Sequence, residues 1–212
     1  MPTGLTRRLP LRALALVLAV AGAAPLAAHD AHHHDHAAHA ATVQEVKRSS
    51  VELSIPSLKL VREDNVRVDL RDAIGRGEPV FVNFIFTSCT AVCPVMSETF
   101  ARIAEDTSRA AQRPRLISIS IDPEVDTPAR LTAYAAQFGT PAGWHFYTGT
   151  RSESSAAQKA FGLDIADKMS HPVVTFYHPG KGWQWLRFDG FASPEALAAL
   201  VPQQQRAHNH HH

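Results

Sequence analysis

Cysteine is nearly absent from this chain: Cys89 and Cys93 are the only two. They could close one short loop at most, so the fold is no disulfide-built mini-scaffold and its core must come from apolar burial. Neither sign of charge is in excess. Lys and Arg number 21 against 20 Asp and Glu, which leaves no basic field for a nucleic acid. The apolar run from Ala13 to Ala24 is short for a membrane-spanning helix, which needs about 20 residues. Internal repeats are missing as well. What remains, over 212 residues, is one domain of ordinary size with extensions.

The extensions are legible first. Arg7, Arg8 and Arg12 give a charged start, the apolar run follows, and Pro25-Leu26-Ala27-Ala28 supplies small residues near a cleavage point. Residues 1–28 therefore read as an export signal, with an uncleaved anchor as the other reading. Its removal takes away three arginines and no acidic residue, leaving a balance of −2 with His neutral. Export implies a periplasmic protein in a compartment that permits disulfides. Residues 29–50 read as a His- and Ala-rich disordered linker. Its tract "HDAHHHDHAAHAA" holds six of the 13 histidines and no aliphatic side chain larger than Ala, so it has no face to bury. A His-rich tail, 206–212, ends the chain. Imidazoles in both tails suit loose binding of Cu(II) or Zn(II), and a solvated spacer is the plainer reading.

The folded unit is expected over 51–205. "LKLVRED" and "NVRVDL" alternate and join at Asp64-Asn65, which predicts a hairpin. "PVFVNFIFT" has the density of a strand buried on both faces. A helix is expected from Pro94 to about Thr107, with Met96, Phe100, Ile103 and Ala104 on one side. "RLISISID" is the next strand. "TPARLTAYAAQFG" is a helix with Thr127 as cap, Pro128 in the first position and Gly139 as the stop. "WHFYTG" reads as a strand and "SESSAAQKAFGL" as a helix. "PVVTFY" and "WQWLRFDG" form a hairpin around "HPGKG", and "SPEALAALV" is a closing helix. Strands alternating with helices and ending in a hairpin predict an α/β three-layer domain with a central mixed sheet and an N-terminal β-hairpin extension, and a cysteine pair at the junction of a buried strand and a helix resembles the thioredoxin-like arrangement.

Cys89 falls just past the buried strand, and Cys93 falls in the first turn of the following helix. A spacing of four brings positions to one helix face, and a helix N-terminus favours thiolates. Three uses stay open. One is a structural bridge, which would close a very short loop and so stabilise least. Another is a redox pair that exchanges with a substrate disulfide. The third is a soft-metal clamp, in which thiolates select Cu(I) or Zn(II) and Cu(II) would want an added imidazole. In thioredoxin-like folds the loop before the "PVVTFY" strand faces such a pair and often carries a cis-proline. His171, just before Pro172, is the imidazole that loop would deliver. His145 and His178 read as ordinary polar loop residues. Asp122 and Asp126, in "DPEVDTP", read as turn and helix-cap chemistry rather than a catalytic carboxylate pair. Trp183, Trp185 and Phe188 read as hairpin packing, not a substrate platform.

Taken together, these segments resemble the Sco/SenC family of copper-binding thioredoxin-like proteins. "FIFTSCTAVCP" is similar to the family's F-x-x-x-C-x-x-x-C-P segment, and "ISIDPEVDTPARLTAYAAQFG" to its DP-x-x-DTP segment. "GWHFYTGT" and "SHPVVTFYHPGKG" follow in family order, so the likeness covers about residues 50–200. The resemblance implies copper as cofactor, held by Cys89, Cys93 and His171. It implies a metallochaperone that serves the copper-bearing subunit of cytochrome oxidase or another cuproprotein, and that itself meets a thiol reductant or copper donor. A thiol-disulfide oxidoreductase using Cys89 and Cys93 without metal is the alternative, and a copper-sensing or sequestering module is a third. Three positions depart from the pattern. Thr90 stands for the proline common after the first cysteine, Ser170 for the aspartate that often precedes the histidine, and Pro172 follows that histidine. They surround the ligands without removing them.

Overall fold

The computed structural model describes residues 45–202 apart from 76 and 140. The expected signal, the tract 29–41 and the tail 206–212 lie outside the described residues. Eight strands form one sheet: β1 Lys47–Glu52, β2 Lys59–Arg62, β3 Arg67–Asp69, β4 Val80–Ile85, β5 Arg115–Ser120, β6 Trp144–Thr148, β7 Val174–His178 and β8 Gln184–Asp189. Five helices accompany them: α1 Leu70–Ile74, α2 Val92–Asp106, α3 Pro128–Ala136, α4 Arg151–Ala160 and α5 Pro194–Ala198. The spatial order is β1-β8-β7-β4-β5-β6-β2-β3. β4, β5 and β6 run parallel, while β7, β8, β1, β2 and β3 join antiparallel, so the sheet is mixed.

The position of β4 follows from its composition. All six of its residues are buried, as a strand covered on both faces requires. Phe81 and Ile85 join a core with Phe100 of α2, Leu131 and Tyr134 of α3 and Leu197 of α5. Val80, Val82 and Phe84 join a second core with Leu70 of α1 and Ala157 of α4. The period-two alternation of one strand thus serves both faces of a thioredoxin-like three-layer domain.

Helix starts carry their sequence signals. Thr127 accepts the Arg130 N–H and Pro128 follows it at the head of α3. Thr150 and Glu153 form a capping box on α4, and Ser193 caps α5 through the Ala196 N–H. Gly139 lies beyond α3 with φ 75°, a value that favours glycine, and Asn65 takes φ 70° in the β2–β3 turn.

Several boundaries differ from expectation. Lys47–Ser50, assigned to a disordered linker, are the first residues of β1, and the ordered chain begins before residue 51. "KRSSVE" shows no strong apolar alternation because it is an edge strand, held by its ladder to β8 more than by burial. α2 starts at Val92 rather than Pro94, with the proline inside the first turn, where its missing N–H costs nothing. β7 starts at Val174 rather than Pro172, since proline cannot donate to a ladder. The sequence gives no sign of the short α1, and the N-terminal β2–β3 hairpin extends the main sheet through β6.

Phe84 sits at the centre of the second core, edge-on to Phe161 at 5.4 Å and to Phe176 at 6.5 Å between ring centroids. Phe84→Ala should therefore destabilise the domain by about 3–5 kcal/mol, read as a lower guanidinium midpoint with an unchanged slope.

Candidate functional site

β4 leads into a loop that carries Cys89, and α2 starts three residues later with Cys93 in its first turn. The loop closes through the Cys89 N–H, which donates to the Phe86 carbonyl at 3.1 Å. Ala91 stands at the N-cap of α2 and offers no side-chain cap. The Cys89 sulfur accepts the Cys93 N–H at 3.4 Å in that role. Both cysteines are free thiols. Cys89 is 8% exposed and Cys93 wholly buried.

Their acidities diverge. Burial acts to raise the Cys89 thiol, but hydrogen bonds from the N–H groups of Cys93, Ala91 and Val92 outweigh it and set the thiol below its ordinary value. Burial pushes the Cys93 thiol well up, and the neighbouring Cys89 and Asp126 add to the rise. Cys89 is the more acidic of the two thiols, and its partner is kept protonated.

His171 follows a single 3₁₀ turn, Lys168–Ser170, that Asp167 caps through the Met169 N–H. Its ring is buried, edge-on to Phe86 at 5.7 Å. Nε2 stands 3.9 Å from the Cys93 sulfur and 3.2 Å from the Phe84 carbonyl oxygen. Burial lowers the pKa of the imidazole, against a smaller opposing effect of that carbonyl, so the neutral ring is favoured. Lys168 ties this loop down, with Nζ 2.6 Å from Asp122 and 5.6 Å from the centre of the Phe86 ring. The bond before Pro172 is trans, since the described residues contain no cis peptide. Among the described residues no three His, Cys, Asp or Glu side chains already stand as a ready coordination cage. The imidazole stands beside one sulfur of the pair, and the ring would have to turn off the Phe84 carbonyl before Nε2 could face a metal. Two sulfurs and an imidazole form a donor set that suits copper or zinc.

The other candidates sort cleanly. His145 lies in β6 rather than a loop and contacts Glu63 Oε1 through Nδ1 at 2.8 Å. His178 ends β7, where its Nδ1 accepts the Gly180 N–H and its Nε2 contacts the Gly182 carbonyl. Trp185 and Phe188 are core residues, while Trp183 is 62% exposed. Asp122 is a turn residue, its carbonyl accepting the N–H groups of Val125 and Asp126. Asp126 does more than turn chemistry: it is fully buried, and its carboxylate accepts the Thr87 N–H and hydroxyl and the Ser120 hydroxyl. Sequence reasoning missed this link because residues 87 and 126 meet only in the folded chain.

The SCO1/SenC family model matches residues 50–198. The chain belongs to the SCO1/SenC family. A family relative from Stutzerimonas stutzeri, named as a proposed copper-binding protein, is 31% identical over 116 residues, which cover 53% of this chain and 53% of that one. The chain spans about half or less of the curated relatives it matches, 39% and 53%. Among solved structures, Arabidopsis thaliana ScoI with copper bound aligns with TM-score 0.57 at 20% identity, over 69% of this chain and 94% of that one. BsSco, described with a disulfide switch as a member of the Sco family of cytochrome c oxidase assembly proteins, aligns with TM-score 0.61 at 23% identity, over 71% and 92%. At these identities the structures establish a shared fold.

The divergent thiols set an order of reactivity. Under reducing conditions near pH 7.5, iodoacetamide should modify Cys89 at least about tenfold faster than Cys93. The Cys89 rate should rise with pH along a curve whose midpoint lies below the ordinary thiol pKa. Peptide mass mapping over a time course checks both, and equal rates at the two cysteines would contradict the assignment.

Proposed function

We propose that this protein is a periplasmic copper metallochaperone that takes copper on Cys89, Cys93 and His171. It passes the ion to the copper-bearing subunit of cytochrome oxidase or to another cuproprotein. The observation that carries the reading is the His171 Nε2 at 3.9 Å from the Cys93 sulfur, delivered from a separate loop to a pair of free thiols at a helix N-terminus. A structural bridge would need no imidazole there. Membership of the SCO1/SenC family and a relative named for copper binding support the same cargo, and the BsSco description supports an oxidase assembly role.

The chemistry follows from the donor set. Cu(I) is content with two thiolates, while Cu(II) gains from the imidazole nitrogen. Binding displaces thiol protons, and the raised Cys93 pKa adds to the cost of that displacement, which favours release of the ion. Export fits the signal-like residues 1–28, and among the described residues no helix is long and apolar enough to cross a membrane. The His-rich stretch 29–41 adds loose capacity for Cu(II) or Zn(II) apart from the tight site.

One observation favours a second reading. A thiol poised for attack beside a protonated partner is also what a thiol-disulfide oxidoreductase requires. Metal titration separates the two. Reduced protein should bind one equivalent of Cu(I) tightly, and the Cys89–Cys93 disulfide should bind none, because it offers no thiolate. Cys89→Ser or Cys93→Ser should each abolish tight binding. Equal Cu(I) affinity in oxidised and reduced protein would overturn the metal reading, and fast disulfide turnover indifferent to copper would establish the other.

His171→Ala discriminates further. It should weaken Cu(II) much more than Cu(I), by tenfold or more on the scale of a lost ligand contact, and should shift the sulfur-to-copper charge-transfer bands. An unchanged Cu(II) affinity, measured by chelator competition, would remove His171 from the site.

A further inference from the structure

Asp126 is a wholly buried carboxylate held by donors from two other segments. Its oxygens accept the Thr87 N–H at 3.2 Å, the Thr87 hydroxyl at 2.5 Å and the Ser120 hydroxyl at 2.6 Å. Its own N–H closes the turn onto the Asp122 carbonyl at 2.9 Å, and Thr127, not Asp126, caps α3. No Lys, Arg or His pairs with it among the ion pairs of the described residues. Lys168, a cation that feels its charge, is already engaged by Asp122 at 2.6 Å. Holding a loop needs only a neutral acceptor, and burying a charge without a counter-ion is costly. Thr87 lies two residues before Cys89, so that uncompensated charge is bonded to the loop that carries the first sulfur.

We propose that Asp126 is a positioning residue for the copper site that also biases its redox preference. It pins the Cys89 loop through Thr87, and its fixed negative charge disfavours bound Cu(I) relative to bound Cu(II). This rests on the reading of Cys89 and Cys93 as copper ligands. The charge count gives the sign. Cu(I) displaces two thiol protons and forms a dithiolate complex of net charge −1, whereas the same two thiolates with Cu(II) are neutral. A nearby carboxylate raises the energy of the −1 complex more. The device would let the protein hold Cu(I) without holding it too firmly for transfer.

The test compares wild type, Asp126→Asn and Thr87→Val in the full chain. Cu(I) affinity is measured anaerobically against a chromophoric Cu(I) chelator, and Cu(II) affinity against an amino-acid chelator. Asp126→Asn keeps the shape and removes the charge, so the affinity ratio should move towards Cu(I) by on the order of tenfold. Thr87→Val keeps the charge and removes one hydroxyl donor, so both affinities should fall together without that shift. An unchanged ratio in folded Asp126→Asn, checked by near-UV circular dichroism, overturns the proposal. So does the same shift towards Cu(I) in Thr87→Val, a result that holds even if Asp126→Asn does not fold. If Cys89→Ser and Cys93→Ser leave copper binding intact in these assays, the site reading itself fails. If they abolish it while the Asp126→Asn ratio stays put, only the role of Asp126 falls.

Discussion

A sulfur stands where a helix cap usually stands. Ala91 gives α2 no side-chain acceptor, and the Cys93 N–H turns to Cys89 Sγ instead. The first turn of a helix leaves N–H groups that need acceptors and carries partial positive charge. Placing a thiol there stabilises its anion and fixes its position in one step. The rest of the site depends on that contact. It brings Cys89 beside Cys93 of the first turn, and it divides two chemically identical side chains into a more acidic thiol and a less acidic one.

The scaffold explains why the contact is held firmly. β4 is the central strand, paired to β5 on one side and β7 on the other and buried on both faces, so the loop it feeds starts from the stiffest part of the sheet. The strand also serves the site directly through the Phe84 carbonyl, which meets His171, while the Phe84 ring faces the opposite core. Phe86, the first residue past β4, packs under both the imidazole and the Lys168 ammonium. Backbone and side chains of three consecutive residues, from Phe84 to Phe86, therefore link sheet packing to the geometry of the donors. The same strand carries one polar cost. The Asn83 amide is fully buried, and neither its oxygen nor its nitrogen has a hydrogen-bond partner. That is a loss of order 1–3 kcal/mol per group, which the apolar packing around it has to offset.

Much of this was legible in the sequence, and the reason is local. The helix caps at Thr127, the turn at Asp64-Asn65, the buried β4 and the cysteine spacing are each encoded within a few residues, and each took its expected form. What stayed hidden depends on partners far along the chain. β1 exists because β8 offers an edge, as the pairing of Lys47 with Asp189 shows, and "KRSS" alone gives no sign of that. The Asp126–Thr87 link spans 39 positions, so "DPEVDTP" could be read only as a turn. His171 is the instructive intermediate case. Its placement near Cys93 was expected from the likeness to thioredoxin-like folds, but its hydrogen bond to the Phe84 carbonyl could not be seen from spacing.

That hydrogen bond makes the third donor conditional. Nε2 sits near both a carbonyl oxygen and a thiol sulfur, and one nitrogen cannot donate a proton to Phe84 while giving its lone pair to a metal. With the ring neutral, Nε2–H is the tautomer the carbonyl selects, so ligation through Nε2 requires the proton to move to Nδ1 and the ring to leave its partner. The cost of that exchange is about that of one buried hydrogen bond, roughly 1 kcal/mol, plus any loop movement. Cu(II), which gains most from nitrogen, can meet it, whereas Cu(I), satisfied by two sulfurs, has little reason to. Under the proposed copper role, the resting geometry would favour a two-sulfur state for one oxidation level and a three-donor state for the other. The Lys168–Asp122 contact ties the His171 loop to the turn that precedes α3.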